Sequence, residues 1–252
     1  MTEPIERAAD ILSNSSFTVA LTGAGISVES GVPPFRGKGG LWEKIDPMTV
    51  AHIDAFLGDP ERVWQVLIKE MKNVLDRALP NPGHTGLVDL ERLGILQTVI
   101  TQNVDGLHQM AGSTDVIEFH GNFAWQRCLD CGQHIRTSAV DLAQIPPRCG
   151  HCSGILRPDC VFFGEMIPHE ALIRSQQVSA ACDVMLVIGT SATVQPAASM
   201  PFIAKDNGAT IIEINREPTP FTARISNLPL LGSAGSLMPR LVEAVRVRRP
   251  SH

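Results

Sequence analysis

Four of the chain's six cysteines constrain its fold more than any other feature of the sequence. Cys128 and Cys131 form one Cys-X-X-Cys pair, Cys149 and Cys152 form a second, and seventeen residues separate the two pairs. This spacing is typical of a zinc ribbon, in which four thiolates hold a closed tetrahedral zinc site. His151 could replace one thiolate, and disulfides or a redox pair are the alternative to a metal. A closed site has no position for water, so we expect the zinc to support the fold rather than to catalyse a reaction.

Outside the cysteine pairs, short apolar runs alternate with segments of helical periodicity. Buried parallel strands are predicted at 18–21, 97–101, 184–188 and 210–214, and helices at 5–12, 87–93 and 196–207. This alternation predicts an α/β fold built on a doubly wound, Rossmann-like parallel sheet.

Two stretches interrupt the alternation, a mainly helical one at 41–79 and the cysteine-bearing one at 121–165. We expect them to form a smaller module, a helical insertion joined to the zinc ribbon, with a ligand cleft where this module meets the sheet domain. The predicted boundaries are 1–36, 80–120 and 166–252 for the Rossmann-like domain, and 37–79 and 121–165 for the small module.

The composition argues against several classes of protein. The formal net charge is -5, and the basic run of Arg246, Arg248 and Arg249 reads as the end of a solvated helix, so we expect no dedicated nucleic-acid site. Residues 1–10 lack the cationic and apolar regions of a secretion signal, and no stretch has the length of a membrane span. Because paired cysteines also suit a reducing compartment, we expect a soluble cytoplasmic protein with no membrane partner.

A glycine-containing turn follows the first predicted strand. The sequence Thr22-Gly23-Ala24-Gly25-Ile26-Ser27 suits a loop whose backbone N–H groups face a dinucleotide pyrophosphate. Val28 stands where the usual fingerprint has a third glycine, so nucleotide binding and a plain strand-to-helix turn both remain open. The next segment carries Pro33-Pro34-Phe35-Arg36 before a Lys-Gly-Gly hinge, a pattern typical of a lid.

Six short motifs of the chain occur in the order found in the sirtuin family. They are Gly23-Ala-Gly-Ile-Ser27, Pro33-Pro-Phe-Arg36, Thr101-Gln-Asn-Val-Asp105, Phe119-His120-Gly121, Gly189-Thr-Ser191 and Ile214-Asn215. The chain thus resembles sirtuins over roughly residues 15–240. The resemblance implies an NAD-dependent protein-lysine deacylase that transfers the acyl group to ADP-ribose and releases nicotinamide, with acylated-lysine proteins or peptides as partners. Mono-ADP-ribosyltransfer and a non-enzymatic zinc-ribbon adaptor are the alternatives.

The resemblance also implies which residues contact NAD. They are Gly23, Ala24, Gly25, Ser27, Glu29, Phe35, Arg36, Trp42, Gln102, Asn103, Val104, Asp105, Gly189, Thr190, Ser191, Asn215, Arg216, Glu217 and Ala234. Gln102 and Asn103 would face the nicotinamide ribose, and Asp105 would support the pocket of the nicotinamide carboxamide. Taken without the family, an Asn and Asp turn after the strand explains these three residues equally simply.

His120 matches the catalytic histidine of the family, with Asn103 as its catalytic companion. An imidazole that titrates near neutrality suits a general base for a sugar hydroxyl. A lone histidine is more often structural, so this assignment depends on the resemblance.

The resemblance places the acyl-lysine peptide as an added strand between two segments of the chain. The matching substrate-binding residues are Val161, Phe162, Phe163, Gly164, Glu165 and Val194. Phe35, Val104 and Phe163 are expected as walls of the acyl-lysine tunnel, although each could equally be an ordinary core residue. Sirtuins that prefer succinyl or malonyl groups carry a tyrosine and an arginine where this chain has Leu67 and Glu70. We therefore expect neutral acyl groups, acetyl or longer, to be preferred.

Overall fold

A six-stranded parallel sheet forms the centre of the protein in a computed structural model, which describes residues 3–34, 40, 43 and 45–249. The strands of the described part are β1 (Thr18–Thr22), β2 (Leu96–Thr101), β3 (Val116–Glu118), β4 (Gly121–Cys128), β5 (His134–Arg136), β6 (Leu156–Cys160), β7 (Val184–Ile188), β8 (Thr210–Asn215) and β9 (Leu228–Leu231). The large sheet has the order β3-β2-β1-β7-β8-β9, and every neighbouring pair in it is parallel.

The strand order reverses at β1, which lies between β2 and β7. In an open parallel sheet such a reversal leaves a crevice at the carboxyl ends of the strands, because the loops on either side depart in opposite directions. β1 and β7 are buried along their whole lengths, as expected for central strands covered by helices on both faces. The doubly wound α/β fold predicted from the sequence is therefore confirmed.

Helices cover both faces of the large sheet. In chain order the helices of the described part are α1 (Glu3–Ser13), α2 (Pro47–Val50), α3 (Ile53–Gly58), α4 (Pro60–Val63), α5 (Lys69–Leu75), α6 (Pro82–Arg92), α7 (Leu107–Ala111), α8 (His169–Ala181), α9 (Met200–Asp206), α10 (Pro220–Arg224) and α11 (Ala234–Arg248). Side chains of α1, α6 and α11 share one apolar core with the sheet, and side chains of α8, α9 and α10 share the other. Within the described ranges, none of these helices combines the length and apolarity needed to cross a bilayer.

A three-stranded antiparallel sheet with the order β5-β4-β6 carries the cysteine pairs. It packs against helices α3, α4 and α5 through a separate apolar core. This core includes Phe56, Trp64, Phe123 and Phe162. The indole Nε1 of Trp64 donates to the carbonyl oxygen of Leu156 at 3.0 Å. The helical insertion and the cysteine region thus share one core, although they are far apart in the sequence.

Several elements differ from the sequence prediction in extent. α6 begins at Pro82 rather than at 87, because Asn81 caps it and proline suits the first helical position. The segment predicted as one helix at 196–207 divides into a 3₁₀ turn at Ala197–Ser199 and α9. The edge strands β3 and β9, three and four residues long, and the weakly amphipathic α8 were not predicted.

Arginines of the basic run at the carboxyl end pair with neighbouring helices, while Arg246 and Arg249 remain exposed. Arg248 donates to the carboxylates of Glu6 and Asp10 on α1, and Arg246 donates to Asp89 on α6. These arginines fasten α11 to its two neighbouring helices.

Candidate functional site

One continuous cleft of about 1190 Å³ opens at the carboxyl edge of the large sheet, beside the small module. The loops that follow four adjacent strands line it, with Gly23–Gly25 after β1, Gln102–Val104 after β2, Gly189–Ser191 after β7 and Asn215–Glu217 after β8. His120, Leu67, the segment Val161–Glu165 and Val194 line the same cleft. Residues from distant parts of the sequence therefore meet at the strand-order reversal.

The loops after β1 and β7 touch backbone to backbone. The N–H of Gly23 donates to the carbonyl oxygen of Ile188 at 3.0 Å, and that of Gly25 donates to Gly189 at 2.8 Å. A Cβ at Gly25 would lie 2.6 Å from the Gly189 Cα, and Gly189 itself has a φ of +63°. Glycine is needed at these positions because no side chain fits between the two loops.

Thr190 links the loops after β2, β7 and β8. Its hydroxyl accepts a hydrogen bond from the Gln102 amide at 3.0 Å, and its carbonyl oxygen accepts one from the Asn215 amide at 3.1 Å. Ser191, Arg216 and Glu217 are exposed beside it and line the cleft. This side of the cleft thus presents amides and hydroxyls with fixed neighbours.

Ser27 joins Asn103 and Asp105 beneath the glycine loop. The Ser27 hydroxyl donates to Asp105 Oδ2 at 2.7 Å and accepts from the Asn103 amide at 3.1 Å. Asn103 also donates to the carbonyl oxygen of Gly23 at 3.2 Å. The His84 Nε2 lies 3.3 Å from the same hydroxyl. The polar side chains after β2 are therefore locked to the loop after β1.

Burial keeps His84 uncharged. It lowers the pKa of His84 to about 4, although the neighbouring Asp105 carboxylate acts in the opposite direction. His84 Nδ1 accepts the backbone N–H of Asn81, so the neutral ring carries its proton on Nε2 and donates to Ser27.

His120 lies in the two-residue turn between β3 and β4, where it lines the cleft. Its Nδ1 is 3.0 Å from the carbonyl oxygen of Gln102, an acceptor only, so Nδ1 carries a proton and donates it. The neutral ring then has its lone pair on Nε2. Burial lowers the pKa of His120, while the bond to Gln102 raises it by a smaller amount. His120 is thus a histidine poised to accept a proton through Nε2.

The segment Val161–Glu165 is anchored at both ends. The N–H of Val161 donates to the carbonyl oxygen of His120 at 2.9 Å. Phe163 pairs in parallel with the stretch around His52, donating to Ala51 and accepting from Ile53, both at 2.9 Å. The Glu165 carboxylate accepts hydrogen bonds from Arg157 and from the Phe162 N–H. The backbone next to His120 is therefore held in a defined conformation.

One part of the cleft lining is apolar and is called the apolar wall. Its residues are Ala51, Leu67, Ile68, Met71, Val104, Phe123 and Phe162. Glu70 is exposed and does not line this cleft, whereas Met71, one position later, does. The chain makes a widened π-helical turn at Trp64–Ile68, and Leu67, Ile68 and Met71 all line the wall.

The four paired cysteines converge on one point. Their Sγ atoms all lie within 4.8 Å of one another, with Cys128 and Cys152 separated by 3.4 Å and Cys131 and Cys149 by 3.8 Å. Thiolates bound at about 2.3 Å to a tetrahedral zinc ion would be about 3.8 Å apart. The four thiols thus fit a zinc site, and all are free rather than joined in disulfides. His151 between the second pair is exposed.

Two of the residues that the family resemblance assigned to NAD, Glu29 and Ala234, meet at the amino end of α11. Glu29 accepts hydrogen bonds from the Gly235 N–H at 2.8 Å and from the Ser233 hydroxyl at 3.0 Å, at the amino end of α11 beside Ala234. Among the described residues, Glu29 and Ala234 do not line the cleft. Phe35, Arg36 and Trp42 fall outside the described residues.

Three buried residues near the cleft were missed as site residues by the sequence reasoning, namely His84, His108 and Arg157. His108 Nε2 lies 2.9 Å from the Thr22 hydroxyl, and burial, followed by the nearby His84, lowers its pKa to about 3. The Asn81-Pro82 start of α6, with His84 as its third residue, is a local signal for the capping box. For His108 and Arg157 the local sequence carries no such signal.

The chain matches proteins of one family over most of its length. A model of the Sir2 family matches residues 23–196. NAD-dependent protein deacylase 2 of Pyrobaculum aerophilum is 48% identical over 241 residues, which cover 95% of this chain and 95% of that protein. A solved Sir2 homolog–NAD complex has a TM-score of 0.90 and 45% identity, covering 96% of this chain and 94% of that one. A Sir2 protein bound to a myristoylated histone peptide has a TM-score of 0.82 and 37% identity, covering 99% of each chain. The chain therefore belongs to the Sir2 family, the sirtuins, as its six motifs predicted.

Proposed function

We propose that this protein is an NAD-dependent protein-lysine deacylase that transfers the acyl group to ADP-ribose and releases nicotinamide. The observation that carries the proposal is the single cleft in which glycine loops, the Nε2 of His120, the anchored segment Val161–Glu165 and an apolar wall meet. The Pyrobaculum aerophilum relative bears the name of this activity, and a Sir2 homolog of the same fold binds NAD.

NAD occupies the side of the cleft formed by the four strand-end loops. The glycines at 23 and 25 let backbone approach the pyrophosphate, and the hydroxyls and amides of Thr190, Ser191 and Asn215 face the adenosine half. Gln102 and Asn103 face the nicotinamide ribose, and Ser27 and Asp105 hold Asn103 and the carboxamide pocket in place. Val104, Arg216 and Glu217 complete the lining, while Glu29 and Ala234 support the loop from the amino end of α11.

When bound, NAD supplies an activated ribose carbon that accepts the acyl oxygen as nicotinamide departs. His120 then acts as the general base. Its Nε2 takes the proton of a ribose hydroxyl, while the Nδ1–H bond to Gln102 keeps the ring in the tautomer that can do so. Asn103, which is fixed by Ser27 and the Gly23 carbonyl, orients the nicotinamide ribose. The apolar wall excludes water from this end of the cleft until the acyl group has left lysine.

The acyl-lysine peptide adds as a strand between Val161–Glu165 and the segment around Val194. Both segments line the cleft, and the first leads directly from the strand paired with Gly121, next to His120. Binding of this kind depends on backbone hydrogen bonds more than on peptide sequence. The substrates are thus acyl-lysine residues in proteins or peptides of varied sequence.

Neutral acyl groups, acetyl or longer, are preferred over succinyl and malonyl groups. The reason is the wall of Leu67, Ile68, Met71 and Phe123, which offers no partner for an acyl carboxylate. The myristoylated peptide held by a related Sir2 protein is an example of a long neutral chain.

The cysteine cluster holds one structural zinc ion, since its four thiols complete a closed site. Residues 37–79 and 121–165 act as the small module, and 1–36, 80–120 and 166–252 act as the NAD-binding domain. Cysteines that are not joined in disulfides suit a reducing compartment, so the protein is expected in the cytoplasm.

Mass spectrometry of an acetyl-lysine peptide incubated with the protein, with and without NAD, tests the proposal. We expect the peptide to lose the acetyl group only when NAD is present. ADP-ribose attached to a protein or peptide would indicate ADP-ribosyltransfer, and an unchanged peptide in both samples would indicate a non-enzymatic protein.

A further inference from the structure

Arg157, which is buried, and Glu165, whose side chain is 21% exposed, form an ion pair beside the cleft. The Arg157 Nη1 donates to Glu165 Oε1 and its Nη2 donates to Oε2, both at 2.6 Å. The same Nη2 donates to the carbonyl oxygen of Cys160 at 2.6 Å. Arg157 is 1% exposed, and its guanidinium lies 4.5 Å from the centroid of the Phe162 ring. One side chain therefore contacts three points of the segment from Cys160 to Glu165.

The Glu165 carboxylate closes this segment into a short loop. Its Oε2 also accepts the Phe162 N–H at 2.8 Å, so the chain folds back over Phe163 and Gly164. Burial by itself would raise the pKa of Glu165, but the hydrogen bonds from Arg157 and from the Phe162 N–H hold it below its usual value. The carboxylate is therefore ionised at neutral pH, and its pairing with the planar guanidinium is bidentate.

The loop needs support because its own sequence does not fix its conformation. Gly164 has a φ of +86°, and Phe163 is partly exposed. On one side the backbone of Phe163 pairs with Ala51 and Ile53. On the other side the ion pair ties the two ends of the loop to β6, which itself pairs with β4 next to His120. A peptide that adds as a strand binds more tightly to backbone that is already ordered.

We propose that the Arg157–Glu165 ion pair is a positioning element of the acyl-peptide site, because it holds the segment from Cys160 to Glu165 in the conformation that binds the peptide. This inference rests on the proposed deacylase function. Loss of the pair weakens peptide binding and leaves NAD binding and the chemical step intact.

Three variants and one control test this role. Arg157→Lys keeps a charge but removes the bidentate geometry and the contact of the guanidinium with the Phe162 ring. Glu165→Gln removes the charge of the partner, and the double variant combines both changes. Arg127→Lys is the matched control, because Arg127 lies opposite Arg157 in the β4–β6 ladder but is 43% exposed, with only a 3.7 Å ion pair to Asp159.

Calorimetric binding of an acetyl-lysine peptide and of ADP-ribose, steady-state kinetics, and melting temperature are measured for each protein. We expect Arg157→Lys and Glu165→Gln each to raise the peptide Kd and KM about tenfold, with kcat and the ADP-ribose Kd within about twofold of wild type. The double variant should bind the peptide no more weakly than the single variant with the higher peptide Kd, since the two residues act through one contact. Arg127→Lys should match wild type.

The inference fails if the folded variants bind peptide as wild type does, or if the two single effects multiply in the double variant. It also fails if peptide and ADP-ribose binding fall together with the melting temperature, because that pattern marks a merely structural role. Wild-type protein that binds the peptide but does not remove its acetyl group would defeat the proposed function instead. The peptide Kd ratios would still decide the role of the ion pair.

Discussion

The Nδ1–H of His120 donates to the backbone carbonyl oxygen of Gln102 at 3.0 Å. This contact joins the proposed base to the residue that would face the nicotinamide ribose, and it fixes the tautomer of the imidazole. The acceptor is a main-chain atom of the loop after β2, so substitution of the Gln102 side chain leaves it in place. The orientation of the base is therefore set by the fold of the sheet edge.

Replacing His120 by alanine removes the proton acceptor but no contact with the glycine loops. We expect kcat for deacetylation to fall at least about a hundredfold, the usual contribution of a positioned general base. Calorimetry should show ADP-ribose binding close to that of wild type. His134→Ala, an exposed histidine of β5, is the control and should keep full activity. Near-normal turnover by His120→Ala would contradict the assignment.

On the acid side of its pH profile, kcat/KM should fall at a pH below the ordinary pKa of histidine. Burial lowers the pKa of His120 from 6.5, because it disfavours the charged imidazolium, so the neutral base persists as the pH falls through 6.5. We therefore expect the acid limb of kcat/KM to be centred below pH 6.5. A limb centred at or above pH 6.5 would show that His120 is not the titrating group or is not buried in the free enzyme.

Loss of the zinc ion should disrupt the cleft as well as the ribbon. β4 connects Gly121, next to His120, with the ligand Cys128. β6 follows the second cysteine pair and ends at Cys160, which pairs with Gly121. We expect Cys128→Ser to lose bound zinc, to lower the melting temperature and to abolish deacylation. Metal analysis should find one zinc ion per chain in wild type and in His151→Ala. Loss of zinc from His151→Ala would mean that the four thiols are not the complete ligand set.

The apolar wall should determine the choice of acyl group. We expect kcat/KM for an acetyl-lysine peptide to exceed that for the succinyl-lysine peptide by about a hundredfold or more, since an unpaired carboxylate is costly to bury. Met71→Arg places a cation on the wall and should narrow this ratio, whereas Glu70→Arg, on the exposed side, should not. A succinyl preference in wild type would contradict the proposed specificity.

Parts of this structure follow from local sequence and other parts do not. The cysteine spacing predicted the cluster, because each knuckle is a local turn and the two pairs have few ways to meet. The apolar runs predicted the central strands, since burial on both faces leaves a continuous apolar signature. The motifs after β1, β2 and β7 met in one cleft because parallel strands carry their following loops to the same edge.

What the sequence did not predict depends on contacts between distant or irregular segments. That Met71 lines the wall while Glu70 is exposed depends on how the helices of the insertion pack against the small sheet, which the local sequence does not fix. The inward direction of Arg157 depends on a core assembled from the helical insertion and the small sheet. An arginine followed by a glutamate eight positions later does not by itself predict an ion pair, because most arginines and glutamates are exposed.

The central claim is tested most directly by measuring all products of one reaction. Acetyl-lysine peptide, NAD and the purified protein are incubated, and deacetylated peptide, nicotinamide and O-acetyl-ADP-ribose are quantified together over time by mass spectrometry. The account predicts that the three appear in equal amounts, and that with His120→Ala deacetylated peptide and O-acetyl-ADP-ribose form at least about a hundredfold more slowly. Free acetate released without nicotinamide, or nicotinamide released with no O-acetyl-ADP-ribose, would contradict it.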